Sequence, residues 1–105
     1  MQIIINNIAW KIKFIPGSSG ELKDIYGKSH LGMTDNNVKI IYLNKELDNG
    51  LLYSVLCHEL VHAFCFSYDI YFDVEDEERL ASFIEHFGND ILHTTNIVYS
   101  HVESE

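Results

Sequence analysis

Residues 51–66 read Leu-Leu-Tyr-Ser-Val-Leu-Cys-His-Glu-Leu-Val-His-Ala-Phe-Cys-Phe. Apolar side chains occur at helical spacing on most of the circumference of this stretch, which is typical of a central, buried helix. Its few polar side chains include His58, Glu59 and His62, and burying such a trio without partners is costly. The stretch therefore predicts a core helix that carries an ionisable site.

The whole chain has 105 residues, and we predict one domain over residues 1–105. Lys and Arg total 7 against 16 Asp and Glu, so the formal net charge is −9 and a nucleic-acid partner is not expected. No secretory signal pattern opens the chain, and ionisable groups interrupt its longest apolar stretch. The sequence predicts a cytoplasmic protein with no membrane partner.

Two β-hairpins are predicted before the helix. Their strands are residues 3–5, 8–15, 29–34 and 38–44. Asn6 and Asn7 tolerate the positive φ of a tight turn between the first pair of strands, and residues 35–37 form the second turn. Residues 21–27 are interpreted as a short helix or as irregular structure.

Helical patterns dominate the second half of the chain. Asp48 or Asn49 can cap the first helix. Asp73 is predicted to cap a second helix of roughly fifteen residues, which Gly88 would end. Residues 90–99 are interpreted as helical in spite of their β-branched side chains. The predicted fold class is α+β, a small antiparallel or mixed sheet of about four strands packed on a central helix and a second helix.

His58, Glu59 and His62 form the pattern His-Glu-x-x-His. Side chains four residues apart on a helix lie on one face, one turn apart, so both imidazoles can bind one Zn²⁺ ion. Glu59 is turned by about 100° from His58 toward the open side of such an ion. We therefore predict His58 and His62 as metal ligands and Glu59 as a general base acting on water.

A catalytic zinc also needs a third protein ligand. Glu77 is the first candidate, because it shares a helix face with the apolar side chains of Ala81 and Ile84. Glu78 is the alternative, although it shares its face with Glu85, which is assigned to the solvent side. A further alternative is that the four acidic residues 75–78 only form a solvated surface, where the positive N-terminal end of the helix dipole stabilises their charges.

The segment 29–88 resembles the zincin metallopeptidases, specifically a minimal gluzincin similar to the small phage and ImmA/IrrE-type metallo-endopeptidases. The resemblance rests on His58-Glu59-Leu60-Val61-His62-Ala63, on the strand 38–44, and on Glu77-Glu78 followed by Ala81, Phe83 and Ile84. It implies a zinc-dependent peptidase that hydrolyses a peptide bond in an intracellular protein or peptide.

In that family the strand before the active-site helix is a sheet edge to which the peptide substrate adds as a further strand. The resemblance thus implies a set of substrate-binding residues, namely Lys39, Ile40, Ile41, Tyr42 and Leu43. An additional donor to the developing oxyanion is expected. The candidates for it are His86, His93, His101, Tyr68 and Tyr71, and His86 is also a low-ranked alternative third ligand.

A second hypothesis is a zinc-containing module without catalytic activity. It would bind or regulate a partner protein through the same edge strand, as a product of a phage or mobile element. The presence of Glu59 favours the enzyme, because a structural zinc site does not need a general base.

Overall fold

The computed structural model describes residues 1–104 as an α+β fold. The strands are β1 (Gln2–Ile5), β2 (Ile8–Ile15), β3 (Gly32–Asp35) and β4 (Ile40–Asn44), and a short 3-10 helix covers Gly20–Leu22. The helices are α1 (Asn49–Ser67) and α2 (Val74–Ser104). The predicted class, a four-stranded mixed sheet with two helices, is confirmed.

Both predicted hairpins form. Asn6 and Asn7 have φ angles of 50° and 64°, as the tight turn between β1 and β2 requires. β3 and β4 are antiparallel, and the backbone N–H of Asn37 donates to Asp35 Oδ1 at 2.9 Å in their turn. The residues of each turn therefore favour the pairing of β1 with β2 and of β3 with β4.

The strand order is β1-β2-β4-β3, which places β4 inside the sheet. β4 is parallel to β2, with Ile41 opposite Ile12, and antiparallel to β3. The expectation that residues 38–44 form a sheet edge is wrong, because both sides of β4 are paired within the sheet. On this side of the sheet the edge strand is β3.

The core lies between the sheet and one side of α1. Its buried members are Ile5, Trp10, Ile12, Ile41, Leu43 and Ala63. Trp10 is fully buried, and its indole N–H donates to the hydroxyl of Ser67 at 2.8 Å. Asp48 caps the start of α1 by accepting from the backbone N–H of Leu51 at 2.9 Å. Both ends of α1 are thus anchored by hydrogen bonds, and the side of α1 that faces away from the sheet lies outside this core.

α2 begins where the sequence predicts and continues beyond the predicted end. Asp73 Oδ1 accepts from the backbone N–H of Asp76 at 2.9 Å, which is a helix cap. Gly88 does not end the helix, which runs for 31 residues to Ser104. A glycine inside a helix costs only about 1 kcal/mol relative to alanine. Residues 90–99 are helical as interpreted, but they continue α2.

α1 is long and apolar enough to cross a membrane by length and composition alone. Helices that pack in a protein core satisfy the same criterion, and Leu52, Leu56 and Leu60 of α1 pack against the core at the sheet. Its length and composition therefore do not identify a membrane span. The cytoplasmic location stays a prediction.

β3 approaches α1 most closely at Gly32. A Cβ atom at Gly32 would lie 2.8 Å from Val55 Cγ1 and 2.9 Å from Glu59 Cγ. We expect Gly32→Ala to lower the free energy of unfolding by about 1–3 kcal/mol, because these side chains must move. Urea denaturation followed by circular dichroism measures the change.

Gly20→Ala is the matched control, since no atom lies within 4 Å of a Cβ built at that position. Its stability should stay within about 0.5 kcal/mol of the wild type. Equal losses in both variants would contradict a steric requirement at Gly32.

Candidate metal centre

α1 presents His58 and His62 on one face, one helical turn apart. Their rings meet edge to face, with centroids 5.2 Å apart and an interplanar angle of 63°. His58 contacts Glu85 and His62 contacts Glu77, so α2 runs antiparallel to α1 beside the two rings. The acidic first half of α2 therefore faces the histidines.

The carboxylate of Glu78 lies between the two imidazoles. Its Oε2 is 3.0 Å from His58 Nε2, and its Oε1 is 2.9 Å from His62 Nε2. The opposite ring nitrogens have carboxylate partners of their own. His58 Nδ1 is 3.1 Å from Glu85 Oε1, and His62 Nδ1 is 2.6 Å from Glu77 Oε2.

Both nitrogens of each ring lie within hydrogen-bond distance of a carboxylate, which only accepts, so a neutral ring can donate to only one of its two partners. With Nδ1 as the donor to Glu85 or Glu77, a neutral imidazole presents a lone pair at Nε2. Both Nε2 atoms and the carboxylate of Glu78 then direct lone pairs at one point, as the ligands of a bound cation do.

The donor set fits zinc. Ligand atoms of His58, His62 and Glu78 all lie within 4.8 Å of one another. In a tetrahedral zinc site with bonds of about 2.0–2.1 Å, ligand atoms are roughly 3.3 Å apart, so small side-chain movements are enough to close the site. Hydrogen bonds from ligating histidines to carboxylates are the usual support of such centres.

The position of Glu77 favours Glu78, the alternative assignment of the third ligand. Its side chain faces inward as predicted and is only 14% exposed, but it meets Nδ1 of His62 and not Nε2. Glu78, the alternative, reaches both Nε2 atoms. Glu85, assigned from the sequence to the solvent side, contacts His58 instead. Helical phase identified the correct turn of α2 but not the ring nitrogen that each carboxylate meets.

Glu59 is buried beside the histidines and is only 8% exposed. The hydroxyl of Thr34 on β3 is 2.9 Å from its Oε1 and donates to it. Burial raises the pKa of Glu59 above its usual range, although the Thr34 hydrogen bond and the nearby His62 and His58 oppose the shift. A carboxylate with a raised pKa is a better proton acceptor near neutral pH.

A cleft of about 480 Å³ opens over these groups. Its lining residues are Asp24, His30, Gly32, Met33, Thr34, His58, Glu59, His62, Phe66, Val74, Glu77 and Glu78. None of these residues is a lysine or an arginine. The lining is thus acidic and histidine-rich, and it includes three residues of the edge strand β3.

His30 is a cleft residue that no sequence motif predicts. Its Nε2 is 2.9 Å from Asp24 Oδ2, and Asp24 Oδ1 accepts from the backbone N–H groups of Tyr26 and Lys28 at 2.9 and 3.0 Å. The hydrogen bond with His30 is the main cause that lowers the pKa of Asp24. Asp24 thereby orients a third imidazole at the cleft. The sequence pattern of this pair, an Asp six residues before a His in a turn-rich segment, is too common to identify a site.

The five predicted oxyanion donors lie elsewhere. Tyr68 lines a different cavity, and the Tyr71 hydroxyl contacts Asp69. His86 lies on the exposed side of α2, where its Nδ1 is 2.7 Å from the backbone oxygen of Ser82. His93 and His101 are on the exposed second half of α2, because the helix does not end at Gly88.

The predicted substrate-binding strand is also absent from the cleft lining. The residues concerned are Lys39, Ile40, Ile41, Tyr42 and Leu43. Ile41 and Leu43 are fully buried in the core, and Lys39 Nζ lies 5.5 Å from the centre of the Trp10 ring. β3 occupies the position at the cleft that had been expected of β4.

No family profile, curated protein or solved structure matches this chain. Interpretation of the site therefore rests on its own geometry.

Metal content tests the assignment of ligands. We expect about one zinc per chain in the purified protein and loss of that zinc in Glu78→Ala, because only Glu78 reaches both Nε2 atoms. Glu77→Ala should keep the site and weaken zinc binding by roughly 10- to 100-fold, since it removes the support of His62. Elemental analysis and competition with a chelator measure both quantities.

Glu75→Ala is the matched control, because Glu75 is on the same turn, is exposed and pairs with Arg79 at 2.8 Å. It should bind zinc like the wild type. Zinc retained in Glu78→Ala and lost in Glu77→Ala would restore Glu77 as the ligand.

The raised pKa of Glu59 predicts how the metal-free domain responds to pH. Folding favours the protonated form of this carboxyl, so the ionised group destabilises the fold above its raised pKa. The effect disappears below the ordinary value of 4.5, where the group is protonated in both states. We expect metal-free Glu59→Gln to be more stable than the wild type at pH 7, by about 1 kcal/mol.

Denaturation of the chelator-treated proteins at pH 7 and pH 4 measures this difference. The advantage of the Gln variant should shrink at the lower pH. A variant that is less stable than the wild type at pH 7 would contradict the burial of an ionisable carboxyl at this site.

Proposed function

We propose that this protein is a zinc-dependent peptidase, of the minimal gluzincin type, that hydrolyses a peptide bond in a cytoplasmic protein or peptide. The observation that carries the proposal is the convergence of His58, His62 and Glu78 beside the buried carboxyl of Glu59. Three ligands leave one tetrahedral position open, which is the arrangement of catalytic rather than structural zinc.

A metal ion held by His58, His62 and Glu78 would supply Lewis acidity, which would make water more acidic and polarise a carbonyl group. The chain supplies the proton acceptor. Glu59 takes a proton from the attacking water and passes it to the leaving amine. Its hydrogen bond from Thr34 holds the carboxylate in one orientation, and its burial keeps competing water away.

Two hydrogen bonds hold the metal-binding rings in place during this chemistry. Glu85 and Glu77 accept from Nδ1 of His58 and His62, which keeps Nε2 of each ring free of protons and directed at the metal position. The acidic run that opens α2 thus contributes one ligand and one supporting carboxylate from adjacent residues.

β3 is the strand on which we place the substrate. It is a sheet edge, and Gly32, Met33 and Thr34 line the cleft. Outward-facing backbone N–H and C=O groups of an edge strand can pair with an extended peptide, which positions the scissile bond over Glu59. His30, held by Asp24, faces the same cleft and is our candidate donor to the developing oxyanion.

A binding module without catalytic activity is the second candidate. Glu59 distinguishes the two functions, because a module that only holds zinc gains nothing from a buried carboxyl whose pKa is raised. The alternative therefore has no explanation for the most costly side chain on α1.

Incubation of the zinc-loaded protein with a library of peptides from a digested proteome tests the proposal. We expect new peptide termini, detected by mass spectrometry, that are absent after chelation and absent with Glu59→Gln. Glu59→Gln should still bind one zinc per chain, because Glu59 is not a ligand. His30→Ala should also keep its zinc and lose activity on the order of 100-fold.

Cleavage that persists in Glu59→Gln would rule out this mechanism. Zinc-loaded wild-type protein that cleaves no peptide but binds one in a zinc-dependent manner would favour the binding module.

A further inference from the structure

A second cavity, of about 500 Å³, lies between α1 and α2. It is lined by Tyr53, Leu56, Cys57, Leu60, Val61, Phe64, Cys65, Tyr68, Ile70, Leu80 and Ile84, which we call the apolar groove. None of these residues lines the metal cleft. Tyr53 and Phe64 are 58% and 48% exposed, so the prediction that α1 is buried on nearly all sides is wrong.

The second half of α2 has no cover within the described chain. Asn89 Nδ2 donates a hydrogen bond to the hydroxyl of Tyr53 on α1 at 2.8 Å, and no side chain of residues 90–104 forms a hydrogen bond with α1 in the described part of the chain. Residues 89–104 are all exposed, and Ile91, Val98 and Val102 are 48%, 56% and 63% exposed. A single helix of this length with β-branched side chains is only marginally stable in water. The segment therefore needs a partner surface.

The groove and the uncovered half of α2 share one apolar stripe. Leu80 and Ile84 line the groove, and steps of three and four residues continue the same face of α2 without a break. Its members are Leu80, Ile84, Gly88, Ile91, Thr95, Val98 and Val102. A helix that covers the second half of α2 would therefore also extend over the groove.

The stripe is complementary to itself in the antiparallel direction. When Ile91 is placed opposite Ile91 of a second copy, Ile84 falls opposite Val98 and Leu80 falls opposite Val102. A two-fold axis through Ile91 makes the contact isologous, so the Ile84–Val98 and Leu80–Val102 pairs each occur twice and the Ile91–Ile91 pair once. Gly88, near the axis, has no side chain to hold the helices apart.

From these observations we propose that this face binds a second copy of the chain, so that the protein is a dimer through antiparallel pairing of α2. In the dimer the second half of each α2 lies over the apolar groove of the other copy. The proposal does not rest on zinc binding or on peptidase activity.

The length of the stripe and its antiparallel register favour a second copy as the occupant. The stripe from residue 80 to residue 102 is about 33 Å long, which is more than three heptads, the length over which apolar heptads indicate a coiled coil. The chain has a net charge of −9, so two copies repel each other over most of their surfaces. No member of the stripe is charged, and the copies can meet there without opposing like charges.

Sedimentation velocity of the whole chain at micromolar concentrations tests the dimer. We expect twice the chain mass of 12.1 kDa for the wild type and 12.1 kDa for Ile91→Glu. Ile97→Glu is the matched control, since Ile97 is 48% exposed and lies about 120° around α2 from Ile91. It should remain a dimer, and circular dichroism checks that both variants are folded.

Crosslinking tests the register without relying on a disruptive variant. In chains whose native Cys57 and Cys65, both in the groove, are replaced by Ala, a mixture of Ile84→Cys and Val98→Cys treated with a short thiol crosslinker should yield covalent dimers, whereas either variant alone should give none. A monomeric wild type would overturn the proposal. Dimers retained in Ile91→Glu, or crosslinks in Ile84→Cys alone, would overturn the antiparallel stripe.

Discussion

The carboxylate of Glu78 on α2 lies between the imidazoles of His58 and His62 on α1, and this contact joins the two helices at one point. His58 and His62 are oriented by Glu85 and Glu77, so that both present Nε2 to the carboxylate of Glu78. A cation bound at this point, as we propose, would strengthen the contact between the helices.

The apolar contact between α1 and α2 is small. Among the described residues its buried members are Val61, Cys65 and Ala81, with Leu80 and Ile84 packed against them. A metal on the polar side of the helix pair and a second copy on its apolar side, both of which we propose, would each stabilise this interface.

Local patterns in the sequence predicted the elements well and their long-range arrangement less well. The Asn6-Asn7 turn, the Asp48 cap and the helical spacing around His58 are determined by neighbours in the chain, and all three predictions are confirmed. The order β1-β2-β4-β3 depends on contacts between distant residues, so the edge strand was misidentified. Likewise, the spacing of apolar residues predicted which turn of α2 faces α1. Which histidine nitrogen Glu77 or Glu78 meets depends instead on how the two helices are shifted along each other, which the spacing does not determine.

Glu59 links stability to function most directly. Its carboxyl is buried on the helix that the core packs against, where its ionised form is unfavourable and one hydroxyl, that of Thr34, compensates in part. A glutamine or an apolar residue would fold more easily at this position. A buried acid that lies beside the two histidines of the candidate metal centre and lines the wall of an open cleft fits the proton transfer that we propose. The burial of this single carboxyl is accordingly the physical reason on which the proposed catalytic role depends most.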